Sequence, residues 1–157
     1  MHVTRGSMKG PVWMAEIIAE PFVRVRPKVT DANRAFWQGG GSGMLQIVRC
    51  NSCGRWLHPP APVCPACWSS DVAPQPVSGR GTVWSFTINR YRWVPGFEPP
   101  YVVASVELVE QPGLRFTTNV IDCAFDELRC GLEVEVVFAH HGDVWVPLFR
   151  PVRTAVA

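Results

Sequence analysis

Cys50-Asn51-Ser52-Cys53-Gly54 and, with ten residues between the pairs, Cys64-Pro65-Ala66-Cys67 are the stretches that decide how this chain is read. Two C-x-x-C turns can deliver four thiolates from adjacent backbone loops, which a tetrahedral zinc requires at about 2.3 Å per sulfur. Gly54 can take positive φ and turn backbone amides toward the sulfurs, and Pro65 stiffens the second turn. Two disulfides would call for an oxidising compartment, and a thioredoxin-like pair would need a single motif at a helix start. The spacing therefore favours one zinc per chain, held by Cys50, Cys53, Cys64 and Cys67. Four cysteines close the coordination sphere, so this metal is structural and keeps no position for reactive water.

The chain has 157 residues, 47% of them hydrophobic, enough to bury a core in one domain with a small appendage. No run approaches the roughly 20 apolar residues of a membrane span. The best N-terminal candidate, Val12 to Ala19, is broken by Glu16, so a cytoplasmic location without membrane contact is the expectation. A net charge of +2 leaves the partner open, although 13 of the 15 basic residues are arginine, which suits bidentate phosphate contacts. Cys123 and Cys130 have no histidine near them and read as small, partly buried hydrophobes.

Composition divides the chain into an arm (1–29), a short helix plus zinc ribbon (30–76), a barrel (77–151) and a tail (152–157). The arm opens on Arg5-Gly6-Ser7, which has the look of a fusion remnant. Pro21 and Pro27 then exclude a long helix, leaving an extended arm with one short amphipathic helical piece. Thr30-Asp31 can cap a helix through Phe36 and Trp37 that Gly39-Gly40-Gly41 terminates. Met44 to Arg49 enters the first knuckle as a strand, Trp56 to Pro62 forms a hairpin, and Ser69 to Gln75 reads as a linker.

Beyond Gly79, five strand patterns follow: Gly81 to Asn89, Tyr101 to Leu108, Leu114 to Ile121, Leu132 to Phe138 and Val144 to Phe149. In the fourth, Leu132, Val134, Val136 and Phe138 share one face while Glu133 and Glu135 take the other. Cys123 to Arg129 suits the short helix that caps many OB barrels. The fold expected is mainly β: an N-terminal arm, a four-cysteine zinc ribbon and a five-stranded OB-fold barrel.

These residues resemble the zinc-ribbon plus OB-fold proteins called domain of unknown function 35, over about residues 25 to 151. The likeness is carried by the helix ending in Phe36-Trp37, the Leu45 strand entering Cys50-x-x-Cys53-Gly54, Pro59-Pro60 and Cys64-Pro65-x-Cys67. It continues through Ser78-Gly79-x-Gly81-Thr82-Val83-x-Ser85, Pro100-Tyr101, Val106-Glu107-Leu108, Gly131 and Pro147-Leu148-Phe149. The resemblance implies an accessory subunit of thiolase-fold aldolases or thiolases, or of acyl-CoA hydratases, in lipid or steroid side-chain degradation. It also implies a heterotetramer with that enzyme and a share in acyl-CoA binding. His140-His141 has no counterpart in the family pattern.

Catalysis by the chain alone would need a base, a nucleophile and an oxyanion site together. His2, His58 and His140-His141 are not flanked by a nucleophile motif, so no catalytic residue is assigned. His58 reads as a ribbon surface residue and His140-His141 as a solvated turn. Arg90-Tyr91-Arg92-Trp93-Val94-Pro95-Gly96-Phe97, with Phe36 and Trp37, forms the candidate partner- or CoA-binding set. The alternative is a single-stranded nucleic-acid module, in which those aromatics stack bases. Only Lys9 and Lys28 are lysines and no basic run lies beyond Arg24 to Lys28, so the electrostatic footprint for that alternative is faint.

Overall fold

The computed structural model describes residues 14–19, 21 and 23–153. Along them run β1 (Ile17–Ala19), α1 (Arg34–Gln38), β2 (Leu45–Cys50), β3 (Trp56–Leu57), β4 (Val72–Val77), β5 (Arg80–Asn89) and β6 (Tyr101–Leu108). β7 (Arg115–Thr118), β8 (Glu133–His141) and β9 (Val144–Pro151) complete the chain. His2 and Arg5-Gly6-Ser7 lie outside the described residues.

Strands β3, β2 and β4 make the ribbon sheet, with β2 in the centre. The Ser69 to Gln75 stretch is not a linker: β4 pairs with β2 over its whole length, from Leu45↔Val77 to Cys50↔Val72. Pro74 and Pro76 are tolerated because β4 is an edge strand. Two residues apart, both ring nitrogens face away from β2, where no ladder donor is needed.

The remaining strands form the barrel. β5 pairs antiparallel with β6, β6 with β7, and β8 with β9. β8 meets β5 through residues 133–135 and, further along the same edge, meets β1 in parallel through Ile17↔Phe138 to Ala19↔His140. A parallel bridge between Val120 and Phe149 joins the end of β7 to β9 and closes the circuit. This five-strand closure is that of an OB-fold. The described part of the arm is extended and strand-forming, so the expected helical piece there is replaced by β1.

The alternation read in the fourth strand holds for Val134, Val136 and Phe138, but Val137 and Ala139 are also buried. The reason is a second apolar layer: Val137, Ala139, Val144, Val146 and Leu148 pack under Ile18, Val29, Trp37 and Ile121. A strand covered on both faces reads as a continuous apolar run. Cys123 to Arg129 forms a turn, not a helix. Asp122 enters it at φ 52, and Glu127 N–H donates to the Ala124 carbonyl in a single tight turn that does not propagate.

Helix α1 also departs from expectation. Asn33, not Thr30 or Asp31, is its N-cap residue, and the Asn33 side chain accepts from the Thr30 N–H at 2.7 Å. The α-helix does end at the glycine run, with Gly39 as its C-cap, and the chain continues in a 3-10 turn over Gly39–Ser42 that stops at Gly43, φ 69. Gly40 explains why glycine is there. A Cβ at that position would collide with the Phe138 ring and lie 2.5 Å from Trp145 Cβ, so only glycine lets this turn rest on β8 and β9.

The ribbon sheet and barrel share one core. Leu45, Ile47 and Val77 belong to the same buried cluster as Val83, Val106, Val134, Phe138 and Phe149. The Gln111 side chain ties the two together, accepting from Trp56 N–H at 2.9 Å and donating to the Trp56 carbonyl at 3.2 Å. Only Ser78 and Gly79 separate β4 from β5, and the Gly79 carbonyl accepts from Val136 N–H at 2.8 Å.

Candidate metal centre and aromatic cleft

The first knuckle lies between the end of β2 and β3, and the second precedes β4. All four sulfurs lie within 4.8 Å of one another, with Cys50 to Cys67 and Cys53 to Cys64 at 3.6 Å. Tetrahedral zinc with bonds of about 2.3 Å would hold its sulfurs about 3.8 Å apart, so the four sulfurs enclose a site of the size the ion needs. Cys50 and Cys64 are fully buried, and the other two face outward. Burial pushes the Cys64 thiol up, yet backbone N–H groups of Ala66 and Cys67 and the neighbouring thiols outweigh it and draw Cys64 down to about 7. Cys67 goes the other way: the Ser69 backbone N–H draws it down, but the neighbouring Cys53, Cys50 and Cys64 thiols and burial push it up to about 12, so the metal-free sulfurs share their protons as a set. No position for water or substrate remains once four sulfurs are bound.

A cleft of about 560 Å³ opens where the arm, α1, the ribbon and the barrel meet. One wall is Phe36 and Trp37 from α1, with His58 and Pro60 from the ribbon. The opposite wall is Tyr101 and Val103 of β6, whose side chains fall on the half-buried face while Val102 and Ala104 enter the core. Thr117 and Asn119 follow from β7 and its end, and Val94 and Phe97 come from the β5–β6 loop. Phe36, His58 and Phe116 stack around a common point, with centroids 5.1 to 5.8 Å apart.

Polar groups gather toward one part of this surface. Asn119 is buried; its amide donates to the Val102 carbonyl at 2.8 Å, and its oxygen accepts from Arg24 at 3.4 Å. The Arg24 guanidinium also lies 5.1 Å from the Phe97 ring centroid. Burial holds His58 below its usual pKa, so it is neutral at pH 7. Among the described residues that line the cleft, Arg24 is thus the charged one.

The candidate binding residues are split by the fold. Phe36, Trp37 and Phe97 line the cleft, whereas Arg90, Tyr91, Arg92 and Trp93 stand outside it on an exposed loop. There Tyr91 packs edge-on against Trp93 at 4.9 Å, the Trp93 indole donates to Asn89 at 2.9 Å, and Arg92 pairs with Glu98. The loop extends a hairpin that is itself exposed: Trp84 and Phe86 lie on the surface, and Arg115 stacks 3.4 Å over Trp84. Sequence reasoning missed His58, Arg24 and Asn119 as cleft residues. His58 follows the Trp56–Leu57 strand and is half-buried, not a ribbon surface residue. Cys123 is half-buried, with its thiol pushed up by burial, and Cys130 is exposed. His140 and His141 do not form the turn but end β8, where His140 pairs with Trp145 of β9 and stacks on its ring at 4.9 Å.

A closed four-cysteine ribbon packed on a five-stranded barrel defines a zinc-ribbon/OB-fold protein. Residues 37–73 match the ChsH2 rubredoxin-like zinc ribbon domain, and residues 74–139 match the ChsH2 C-terminal OB-fold domain. The chain belongs to the DUF35 family.

Relatives include a DUF35 domain-containing scaffold protein of Methanothermobacter thermautotrophicus, 36% identical over 57% of this chain and 68% of that protein. The probable enoyl-CoA hydratase alpha subunit of Thermomonospora curvata is 35% identical over 82% of this chain. The 3-oxo-4,17-pregnadiene-20-carboxyl-CoA hydratase alpha subunit of Mycobacterium tuberculosis is 37% identical, also over 82% of this chain. The chain spans 40% and 42% of the lengths of those two subunits. The solved Ltp2-ChsH2(DUF35) aldolase contains a chain that superposes with a TM-score of 0.72 at 35% identity, covering 80% of this chain and 98% of that one. Among the described residues no helix is long and apolar enough to cross a membrane.

Proposed function

We propose that this chain is a non-catalytic accessory subunit, or subunit domain, of a thiolase-fold aldolase or thiolase, or of an acyl-CoA hydratase. It stabilises that enzyme and helps hold the CoA moiety of a thioester, in lipid or steroid side-chain degradation in the cytoplasm. The catalytic residues belong to the partner, and the assembly is a heterotetramer. The observation that carries this reading is the exposed aromatic hairpin: Trp84, Tyr91 and Trp93 are more than half exposed on a rigid, zinc-braced body. Large aromatics and arginine are the usual anchors of protein interfaces. Relatives that are themselves subunits of acyl-CoA enzymes support the choice of partner.

In this scheme residues 1–29 are an arm, 30–76 the metal-locked ribbon, 77–151 the docking barrel and 152–157 a tail. Zinc binding stabilises the folded ribbon directly, because the site does not exist in the unfolded chain. In this reading Arg90 and Arg92 meet CoA phosphates, Arg92 by giving up its ion pair with Glu98. A nucleic-acid partner would use the outer face of β6 and β7, and α1 with Phe36 covers that face here. The test is affinity capture of the chain from its host, with bound proteins identified by mass spectrometry and nucleic acid measured by absorbance. Recovery of a thiolase-like or hydratase-like enzyme supports the proposal, and recovery of nucleic acid or of no protein overturns it.

A further inference from the structure

We infer that the cleft itself is a ligand site, taking a small, ring-containing apolar acid or acyl group with its oxygen-bearing head toward Arg24. In an OB barrel the second and third strands and the adjoining loops present the ligand-binding face. Here those strands are β6 and β7, and the chain has roofed them with Phe36 and Trp37 from α1 and His58 from the ribbon. The roof turns an open groove, suited to a polymer, into a bounded pocket of about 560 Å³, within the range that holds small molecules.

The chemistry of the lining selects the class of ligand. Aromatic and aliphatic side chains dominate it, and the edge-on and tilted rings of Phe36, His58 and Phe116 form a wall that fits the face of another ring. Arg24 supplies the charge among the described lining residues, where it meets buried Asn119 at 3.4 Å and lies over the Phe97 ring. That pattern complements an apolar body ending in a single carboxylate or carbonyl oxygen. It does not complement the multiply charged nucleotide end of CoA, which would need several cations. As a biological ligand, the acyl group of a thioester rests on the function proposed above. The pocket chemistry does not.

The experiment uses the zinc-loaded full chain without any partner, titrated with 2-naphthoate and, separately, with its neutral counterpart 2-naphthamide, followed by ligand fluorescence. Saturable one-to-one binding of 2-naphthoate is expected. Val103→Phe and, at an exposed position on the cleft rim, Thr117→Phe should each weaken it at least tenfold while zinc content and melting temperature stay near wild type. Arg24→Gln should weaken naphthoate about tenfold and leave naphthamide within about twofold, as loss of one charge-assisted contact predicts. Absence of saturable binding overturns the inference, as does wild-type affinity in both filled variants or an equal effect of Arg24→Gln on the two ligands. Because no partner enters the assay, failed capture of an acyl-CoA enzyme would count only against the proposed function.

Discussion

Gly54 and Trp68 occupy equivalent positions in the two knuckles. Each follows the second cysteine of its pair, each is left-handed, at φ 77 and φ 61, and each donates its N–H to the carbonyl of the first cysteine, at 2.8 and 2.9 Å. The same turn is thus built once with the residue that favours it and once with a large side chain left 81% exposed.

Gly54→Trp should therefore cost about 1 kcal/mol through the left-handed backbone. Trp68→Gly should leave stability within about 0.5 kcal/mol, because relief of that strain is offset by glycine's greater unfolded-state freedom. Urea denaturation in excess zinc measures both. A large loss in Trp68→Gly would mean that the exposed indole contributes packing that its accessibility conceals.

Gly40→Ala should destabilise the protein by about 1–3 kcal/mol, the usual range for overpacking a filled core. Its Cβ would meet the Phe138 ring and Trp145, neither of which is the free end of a flexible side chain. Gly41→Ala, whose nearest neighbour is the Trp145 ring at 3.1 Å, should cost less. Paired thermal melts decide the order, and equal melting temperatures would contradict this account of the glycine run.

His58 makes stability depend on pH in a definite sense. Burial lowers its pKa from 6.5 in the folded state, so the unfolded chain binds the proton more readily. Its contribution is fully present above the unfolded value and is lost as pH falls through the folded one. His58→Phe should flatten the decline in stability below about pH 6.5. The informative quantity is the difference between wild type and variant across pH, since proton competition for the zinc site is common to both. A difference that does not change with pH would show that His58 does not carry this dependence.

Trp93→Ala should weaken capture of the partner enzyme while leaving the melting temperature nearly unchanged. The side chain is 72% exposed and is held by Tyr91 and Asn89, not by the core. An unchanged partner affinity, measured by interferometry with the captured enzyme, would remove this loop from the docking surface.

The metal site was legible in the sequence because its information is local: two spacings and a glycine specify four converging sulfurs. The barrel strands were legible because apolar alternation follows the pleat, and β6 runs from Tyr101 to Leu108 as expected. What failed to show depends on partners distant along the chain. Pro74 and Pro76 argued for a linker until β2 supplied an edge for them. Val137 and Ala139 lie on a face that the arm, α1 and Ile121 cover from distant parts of the chain. The cleft was invisible for the same reason, since Arg24, His58 and Asn119 meet only when arm, ribbon and barrel converge.

The joint between ribbon and barrel is two residues long, with Ser78 N–H bound to Glu110 at 2.6 Å and Gly79 seated under Val136. A connector so short and so anchored cannot serve as a hinge. Motion at the knuckles must travel through β4 into the first strand of the barrel, and through His58 into the cleft wall. The metal therefore works as a tensioner for surfaces it never touches. A cell short of zinc would lose first the cleft wall that the ribbon supplies, His58 and Pro60.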